Sequence, residues 1–171
     1  MKKSIIQKCE KIKVVLTDVD CVLTDGGMYY TSEGDYMKKF HTRDGMGVSL
    51  LKKNNIPTII ITKESTKIVR KWAKNMNIKK IFDGIIRKEE ILDEIIKSFD
   101  VKKDQIAYIG DDVNDLELMK NVGFCATPND GILLAKEIAD YTCNCKGGEG
   151  VLREIADLLL TIQYPNKKDW Y

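Results

Sequence analysis

One apolar run of the chain ends in a pair of aspartates: IKVVLTDVD, residues 12–20. Most of its first six residues are aliphatic or β-branched, which is typical of a strand that is covered on both faces of a sheet. Runs of the same kind occur at residues 57–62, 80–82, 105–109, 123–126 and 140–143. The sequence therefore predicts a sheet whose first strand ends at carboxylate side chains.

Helical apolar spacing fills the intervals between these runs, at residues 44–54, 65–76, 88–99, 114–121, 131–137 and 148–163. Strands that alternate with helices are joined by right-handed crossovers and form a parallel sheet. We predict an α/β fold of the Rossmann-like, three-layer kind, with a mainly parallel sheet and helices on both faces. Ser65 is expected to cap its helix. One domain is expected to span residues 1–171, with a C-terminal helix and tail at about 148–171.

One segment breaks this alternation and predicts a β-hairpin at about residues 27–41. Two short runs, 27–31 and 36–41, flank the turn-rich residues 32–35. The hairpin carries the apolar side chains Met28, Tyr29, Tyr30 and Phe40. On so short a projection they fit a subunit interface better than a solvated flap. The alternative is that they pack on their own domain.

Composition excludes several classes of protein. The 28 Lys and Arg nearly balance the 26 Asp and Glu among 171 residues, so we expect no nucleic-acid partner. We expect no membrane span, because every apolar run is far shorter than the roughly 20 residues that cross a bilayer, and no signal peptide. The five cysteines are an odd number without a disulfide framework, which indicates reduced thiols in the cytoplasm.

Acidic residues follow two strands of the predicted sheet. Asp18 and Asp20 come after the first strand, and Asp111, Asp112 and Asp115 come after the run at 105–109. Because neighbouring parallel strands end at one edge, these carboxylates would share a small space and repel one another. A hard divalent cation with oxygen ligands, most plausibly Mg²⁺, removes the repulsion. The alternative is that these residues only end strands and cap the helices that follow.

The same pattern suits phosphoryl transfer. Of two carboxylates spaced as in Asp18 and Asp20, one can attack while the other handles the proton of the leaving oxygen. Thr62, at the end of the run at 57–62, can donate hydrogen bonds to a phosphate through its hydroxyl and its backbone N–H. Lys88 can supply positive charge. Taken alone, Thr62 would be an ordinary residue at a strand end and Lys88 an ordinary solvated lysine. Their order along the chain and their positions beside the aspartates favour a role in binding phosphate.

Four motifs of the chain resemble those of the haloacid-dehalogenase-type phosphohydrolases: residues 18–20, Thr62, Lys88 and residues 110–112. Over nearly the whole chain the sequence is similar to the capless branch of that family, which dephosphorylates 3-deoxy-2-keto sugar-acid phosphates. That branch comprises 3-deoxy-D-manno-octulosonate (KDO) 8-phosphate phosphatases and nine-carbon relatives acting on 2-keto-3-deoxynononate (KDN) or N-acetylneuraminate 9-phosphate. Further similar segments are the hairpin and residues 24–27, 40–47, 108–112 and 147–154. The resemblance implies no cap domain.

The resemblance also implies residue roles. Asp18 would be the nucleophile that forms an aspartyl-phosphate, and Asp20 the acid that protonates the leaving oxygen and then the base for water. Mg²⁺ would be held by Asp18, the backbone carbonyl of Asp20, and Asp111. Thr62 and Lys88 would bind phosphate.

In the same comparison, Asp112 and Asp115 would orient Asp111, water and Lys88. Members of the branch are tetramers in which hairpins pack together and a neighbour's C-terminal segment helps close the active site. The resemblance therefore implies a homotetramer with a small sugar-acid phosphate as its substrate.

The sequence departs from the family pattern at two positions and carries conflicting signals for the substrate. Cys21 and Lys63 stand where the family usually has glycine, and a thiol beside the metal suggests sensitivity to oxidation. Glu64, next to Lys63, resembles the nine-carbon enzymes, whereas Arg43 and its neighbours resemble the eight-carbon group. Arg43 could meet the substrate carboxylate or serve packing. KDO 8-phosphate is the first expectation and a nine-carbon 9-phosphate a close second.

Two other interpretations compete with the enzyme. A phosphoacceptor receiver domain also combines an aspartate, clustered acids, a threonine and a lysine, but it has no second aspartate at the position of Asp20. A catalytically silent, scaffolding version of the fold, associated with sugar-acid activation, resembles the chain at residues 141–145. The intact set of candidate residues argues against silence.

Overall fold

The computed structural model describes residues 3–166. In chain order the strands are β1 (Val14–Thr17), β2 (Tyr29–Thr31), β3 (Gly34–Met37), β4 (Thr58–Ile61), β5 (Lys80–Phe82), β6 (Ile106–Ile109), β7 (Phe124–Thr127) and β8 (Tyr141–Thr142). All but β2 and β3 form one sheet in the order β5-β4-β1-β6-β7-β8, and each neighbouring pair is parallel. Strand β1 lies between β4 and β6, so the residues that follow these three strands meet at one edge.

Helices cover both faces of the sheet. They are α1 (Lys3–Cys9), α2 (Thr42–Lys53), α3 (Lys67–Asn75), α4 (Leu92–Phe99), α5 (Leu116–Lys120), α6 (Leu133–Ile138) and α7 (Val151–Gln163). Successive residues of β1 point to opposite faces: Val15 packs in the cluster that includes α1, α2, α3 and α7, and Leu16 in the cluster that includes α4, α5 and α6. The predicted α/β class with both faces covered is confirmed.

Several boundaries differ from the sequence-based expectation. Helix α1 was not predicted, because its seven residues carry few apolar side chains and it is held by packing of Cys9 and Ile5 on the core. Helix α3 is capped by Thr66, whose hydroxyl accepts from Val69 N, and not by Ser65. The helix expected from residue 88 begins instead as a 3₁₀ turn, Lys88–Ile91.

The predicted hairpin forms, with β2 and β3 antiparallel around a turn at Gly34, whose φ is +112°. Met28, Tyr30 and Tyr36 on it are more than half exposed. Phe40 departs from the interface expectation, because its ring stacks on Trp72 of the same chain at 4.7 Å between centroids. Among residues 3–166, only this hairpin is inserted between β1 and α2, and no helix there is long and apolar enough to cross a membrane. The last residues of the predicted tail, 167–171, lie outside the described residues.

Helices α2 and α7 pack closely through a glycine and a buried carboxylate. A Cβ at Gly47 would lie 3.1 Å from Cα of Arg153, so glycine lets the two helix backbones approach this closely without a shift. Asp44 is completely buried, and its Oδ1 accepts from Arg153 N at 2.9 Å in the first turn of α7. Oδ2 has no hydrogen-bond partner within residues 3–166. Burial raises the pKa of Asp44 to about 6, although hydrogen bonds from Arg153 and Leu152 lower it.

This buried carboxyl should make stability depend on pH. Since its folded pKa lies above the unfolded value, ionisation costs stability as pH rises from about 4 through 6, by about 3 kcal/mol at 1.36 kcal/mol per pKa unit. The unfolding free energy of wild type minus that of Asp44→Asn should therefore fall by roughly this amount between pH 4 and pH 7. Urea unfolding of both proteins at a series of pH values, at constant Mg²⁺, checks it. A difference that does not change with pH would contradict this assignment.

Candidate active site

The carboxyl ends of β1, β4 and β6 bring the predicted residues together in a pocket of about 370 Å³. Asp18 directly follows β1 and donates its N–H to Ile109 O at the end of β6. Of the predicted residues, those that line the pocket are Asp18, Asp20, Thr62, Lys63, Glu64, Asp111 and Asp112. The acidic residues of the two predicted clusters thus share one edge of the sheet, as expected for neighbouring parallel strands.

Lys88 lies beneath this pocket, completely buried between two carboxylates. Its Nζ is 2.9 Å from Asp18 Oδ1 and 2.6 Å from Asp115 Oδ1, and it donates to the Tyr108 hydroxyl at 3.3 Å. Burial lowers the pKa of Lys88, but attraction to Asp18 and Asp115 outweighs this effect and the pKa is raised. Lys88 is therefore a charged ammonium inside the protein.

Asp115 has no free acceptor position. Its Oδ1 accepts from Lys88 and from the Tyr108 hydroxyl, and its Oδ2 accepts from the backbone N–H groups of Asp111 (2.8 Å) and Asp112 (3.2 Å). These four bonds use the approximately four lone-pair sites of a carboxylate. A Cβ at Gly110 would lie 2.6 Å from Asp115 Cβ, so the turn tolerates only glycine at that position. Asp115 holds Lys88 and the Asp111 backbone in place.

Asp18 and Asp111 form the part of the cluster that suits a metal ion. Ligand atoms of Asp18, Asp111 and Asp115 lie within 4.8 Å of one another, but the oxygens of Asp115 are already occupied. Burial, which outweighs Lys88, raises the pKa of Asp18 to about 7. Burial and then the charges of Asp115 and Asp18 raise the pKa of Asp111 to about 8. A divalent cation between oxygen ligands would offset this repulsion, so the residues present fit Mg²⁺.

Thr62 can use only part of its predicted donor set. Its backbone N–H donates to Phe82 O at 2.9 Å, because Thr62 continues the pairing of β4 with β5. The expectation that this N–H would meet a phosphate is therefore wrong. The Thr62 hydroxyl, which accepts from Glu64 N at 3.3 Å, keeps its own proton for donation.

The pocket also contains a residue that was not predicted. Lys38, immediately after β3, donates from Nζ to Asp20 Oδ1 at 2.6 Å and lies 3.8 Å from Glu64 Oε2. The sequence signal was weak: Lys38 and Lys39 are adjacent, and which of them faces the site depends on how the hairpin folds back. Tyr108 was also missed, because it reads as an ordinary apolar strand residue.

Arg43 lies outside this pocket. It lines separate grooves near the start of α2 together with Arg153, and its backbone N–H donates to His41 Nδ1 at the N-cap of that helix. In this chain Arg43 is not brought together with Asp18, and its contact with a substrate stays a prediction.

Cys21 adopts a left-handed backbone conformation, with φ of 62°. Its Sγ packs against Gly26: a Cβ added at Gly26 would lie 2.5 Å from this sulfur atom. Partial loss of solvent around the thiol, and secondly the negative charge of the neighbouring carboxylates, raises its pKa to about 12. The thiol is exposed, and its sensitivity to oxidation stays a prediction.

Replacing Cys21 with glycine should stabilise the protein by about 1 kcal/mol, because glycine adopts positive φ without the Cβ penalty. Asn55→Gly, at the same φ of 62°, is a matched control and should gain less, since asparagine tolerates this region better. Urea unfolding of the three proteins measures the difference. Destabilisation by Cys21→Gly would show that the packing of its side chain outweighs the backbone strain.

The family model and the most similar characterised proteins agree on one family for this chain. Residues 28–155 match the haloacid dehalogenase-like hydrolase family. The 3-deoxy-D-manno-octulosonate 8-phosphate phosphatase KdsC of Haemophilus influenzae is 36% identical over 157 residues, 92% of this chain and 87% of that protein. The corresponding enzyme of Yersinia pestis is 33% identical over 159 residues, 93% and 85% of the two chains.

Solved structures give the same result. The Moraxella catarrhalis 3-deoxy-D-manno-octulosonate 8-phosphate phosphatase, in complex with magnesium, phosphate and KDO, superposes with a TM-score of 0.91 at 35% identity, over 95% of this chain and 94% of that one. The cobalt-bound Haemophilus influenzae phosphatase superposes with a TM-score of 0.90 at 36% identity, over 92% of each chain.

Proposed function

Because the chain belongs to the haloacid dehalogenase-like hydrolases and is a phosphatase, we propose that it hydrolyses KDO 8-phosphate with Mg²⁺ through an aspartyl-phosphate at Asp18. The observation that carries this proposal is the placement of Asp18 against the buried Lys88, at 2.9 Å, in a pocket it shares with Asp20 and Asp111. The relatives named above as KDO 8-phosphate phosphatases support the substrate class.

The residues divide the reaction between them. An oxygen of Asp18 attacks phosphorus, and the bond from phosphorus to the sugar oxygen breaks while Asp20 gives that oxygen a proton. Asp20 then takes a proton from a water that attacks the phosphoryl group, which frees Asp18 and releases inorganic phosphate. Lys88 holds Asp18 in place, and its charge reduces the repulsion between that carboxylate and the phosphate dianion.

The remaining residues bind and orient. The Thr62 hydroxyl donates a hydrogen bond to a phosphate oxygen, and Lys63 adds positive charge at the rim of the pocket. Asp18, Asp111 and the backbone carbonyl of Asp20 would hold Mg²⁺, which supplies positive charge beside the phosphate. Asp112 and Asp115 keep the Asp111 loop in position.

The proposal also specifies the length of the sugar acid, eight carbons instead of nine. Glu64 and Arg43 point to different substrates in the sequence, and the named relatives favour the eight-carbon acid. We expect kcat/KM for KDO 8-phosphate to exceed that for a nine-carbon 9-phosphate by at least about tenfold, because discrimination of this size needs only one or two remote contacts. Measuring both substrates side by side tests it. A higher kcat/KM for the nine-carbon substrate would assign the enzyme to that group.

A homotetramer and a cytoplasmic location complete the proposal. The exposed apolar side chains of Met28, Tyr30 and Tyr36 supply a surface for packing between subunits. Sedimentation analysis of wild type and of a Tyr30→Ser/Tyr36→Ser variant tests the assembly: a tetramer that the variant weakens supports it, and a monomeric wild type contradicts it. The free thiols of the five cysteines suit a reducing compartment.

A further inference from the structure

Lys38 connects the hairpin to the proposed general acid. Its side chain is only 9% exposed, whereas the following Lys39 is 58% exposed and pairs with Asp25 at 3.3 Å. Both lysines follow β3, but only Lys38 lines the pocket that contains Asp18. Burying a flexible ammonium in this way costs side-chain entropy and solvation, so a specific contact must offset that cost.

That contact makes the two oxygens of Asp20 unequal. Oδ1 accepts from Lys38 Nζ at 2.6 Å and from the Thr24 hydroxyl at 3.3 Å. Within residues 3–166, no donor contacts Oδ2. A charged donor gives the stronger kind of hydrogen bond, so the orientation of the Asp20 carboxyl is fixed through Oδ1.

Glu64 holds the same ammonium from another side. Its Oε2 is 3.8 Å from Lys38 Nζ, and its backbone N–H donates to the Thr62 hydroxyl at 3.3 Å. Lys38 is thus held between the loop after β1 and the loop after β4. These contacts keep the ammonium on one side of Asp20.

We propose that Lys38 is a positioning residue that assigns proton delivery to Asp20 Oδ2; this rests on the proposed role of Asp20 as general acid. Lys38 and the Thr24 hydroxyl both contact Oδ1, which leaves Oδ2 as the oxygen that can carry the proton to the leaving group. From there it passes to the sugar oxygen as the bond between that oxygen and phosphorus breaks. Oδ2 later takes a proton from the attacking water, while Lys38 keeps all its protons throughout.

A positioning role of this kind predicts a dependence on the leaving group. An alkoxide such as a sugar oxygen needs the proton to leave, whereas p-nitrophenolate leaves well without one. Loss of Lys38 should therefore impair hydrolysis of KDO 8-phosphate far more than that of p-nitrophenyl phosphate. A residue that only stabilises the fold or binds phosphate would affect both substrates equally.

The test compares Lys38→Met with Lys39→Met, a matched neighbour on the same hairpin. Lys38→Met should lower kcat/KM about 30-fold or more for KDO 8-phosphate and less than about threefold for p-nitrophenyl phosphate, as expected for partial loss of general acid catalysis. Lys39→Met should change neither value by more than about twofold, since its ion pair is exposed. Lys38→Arg should recover most of the loss, and thermal melting of each variant verifies its fold.

A double variant tests whether Lys38 acts through Asp20. In an Asp20→Asn background, Lys38→Met should have little further effect, because residues that act as a unit are not additive. Equal losses for the two substrates, full additivity with Asp20→Asn, or no loss for KDO 8-phosphate would each overturn the inference. If Lys38→Met does not fold, Lys38→Gln is judged by the same two-substrate comparison. Failure of wild type to hydrolyse either ester with Mg²⁺ would instead contradict the proposed phosphatase reaction.

Discussion

Replacing Asp18 with asparagine is expected to lower kcat for KDO 8-phosphate by about 10⁴-fold or more, the size of effect seen when a covalent nucleophile is removed. The amide is nearly isosteric but cannot form the acyl phosphate. Lys88 would remain paired with Asp115 at 2.6 Å. The variant should therefore lose the chemical step without losing its fold.

The stability of Asp18→Asn separates this effect from misfolding. Because burial raises the pKa of Asp18 to about 7, its charge is not favoured by the metal-free fold, and a neutral amide should leave the melting temperature in EDTA unchanged or higher. Asp83→Asn is a suitable control: Asp83 follows β5 at the same edge of the sheet but pairs with Arg70. It should retain activity within about threefold, as expected for loss of a surface ion pair. Asp18→Asn activity within tenfold of wild type would remove Asp18 from the mechanism.

Replacing Lys88 with methionine is expected to have the second largest effect and to change both stability and activity. It leaves the carboxylate of Asp115 completely buried without its cation, which should cost about 3–5 kcal/mol of unfolding free energy. Loss of the charge beside the phosphate should lower kcat by about 10²–10³-fold. Urea unfolding and steady-state kinetics at saturating Mg²⁺ measure the two effects.

Tyr108→Phe is the matched control for Lys88→Met. It removes one hydroxyl from the same buried network, where Tyr108 donates to Asp115, but it keeps all charges. It should cost about 1.5–3 kcal/mol of stability, the usual value for a hydrogen bond to a charged group. If Lys88→Met were no more damaging than Tyr108→Phe, the charge of Lys88 would have no special role.

Most of the sheet could be predicted because its strands carry their own signal. The central strands β1, β4 and β6 are buried at every position, so their sequences are short continuous apolar runs. Helix α1 lacks such a signal, since it is short and depends on its packing against the rest of the core. The choice of Thr66 over Ser65 as N-cap is a one-residue difference between two good capping residues, which local sequence cannot resolve.

In the candidate site, too, residues on the strands could be predicted, whereas contacts that depend on how distant segments pack could not. Asp18, Asp20, Thr62 and Asp111 could be placed together because they end neighbouring parallel strands, whose geometry is nearly fixed. Lys38 could not, because its position depends on how the hairpin folds against the sheet. The backbone N–H of Thr62 is likewise bonded to Phe82 O because β4 pairs with β5. The sequence around Thr62 alone does not indicate which strand pairs with it.

The most direct test of the whole account is the release of inorganic phosphate from KDO 8-phosphate by the purified protein, with Mg²⁺ and after its removal by EDTA. We expect steady release with Mg²⁺, loss of activity in EDTA, and recovery when Mg²⁺ is restored. Undiminished release in EDTA, or no release from KDO 8-phosphate in the presence of Mg²⁺, would contradict the account.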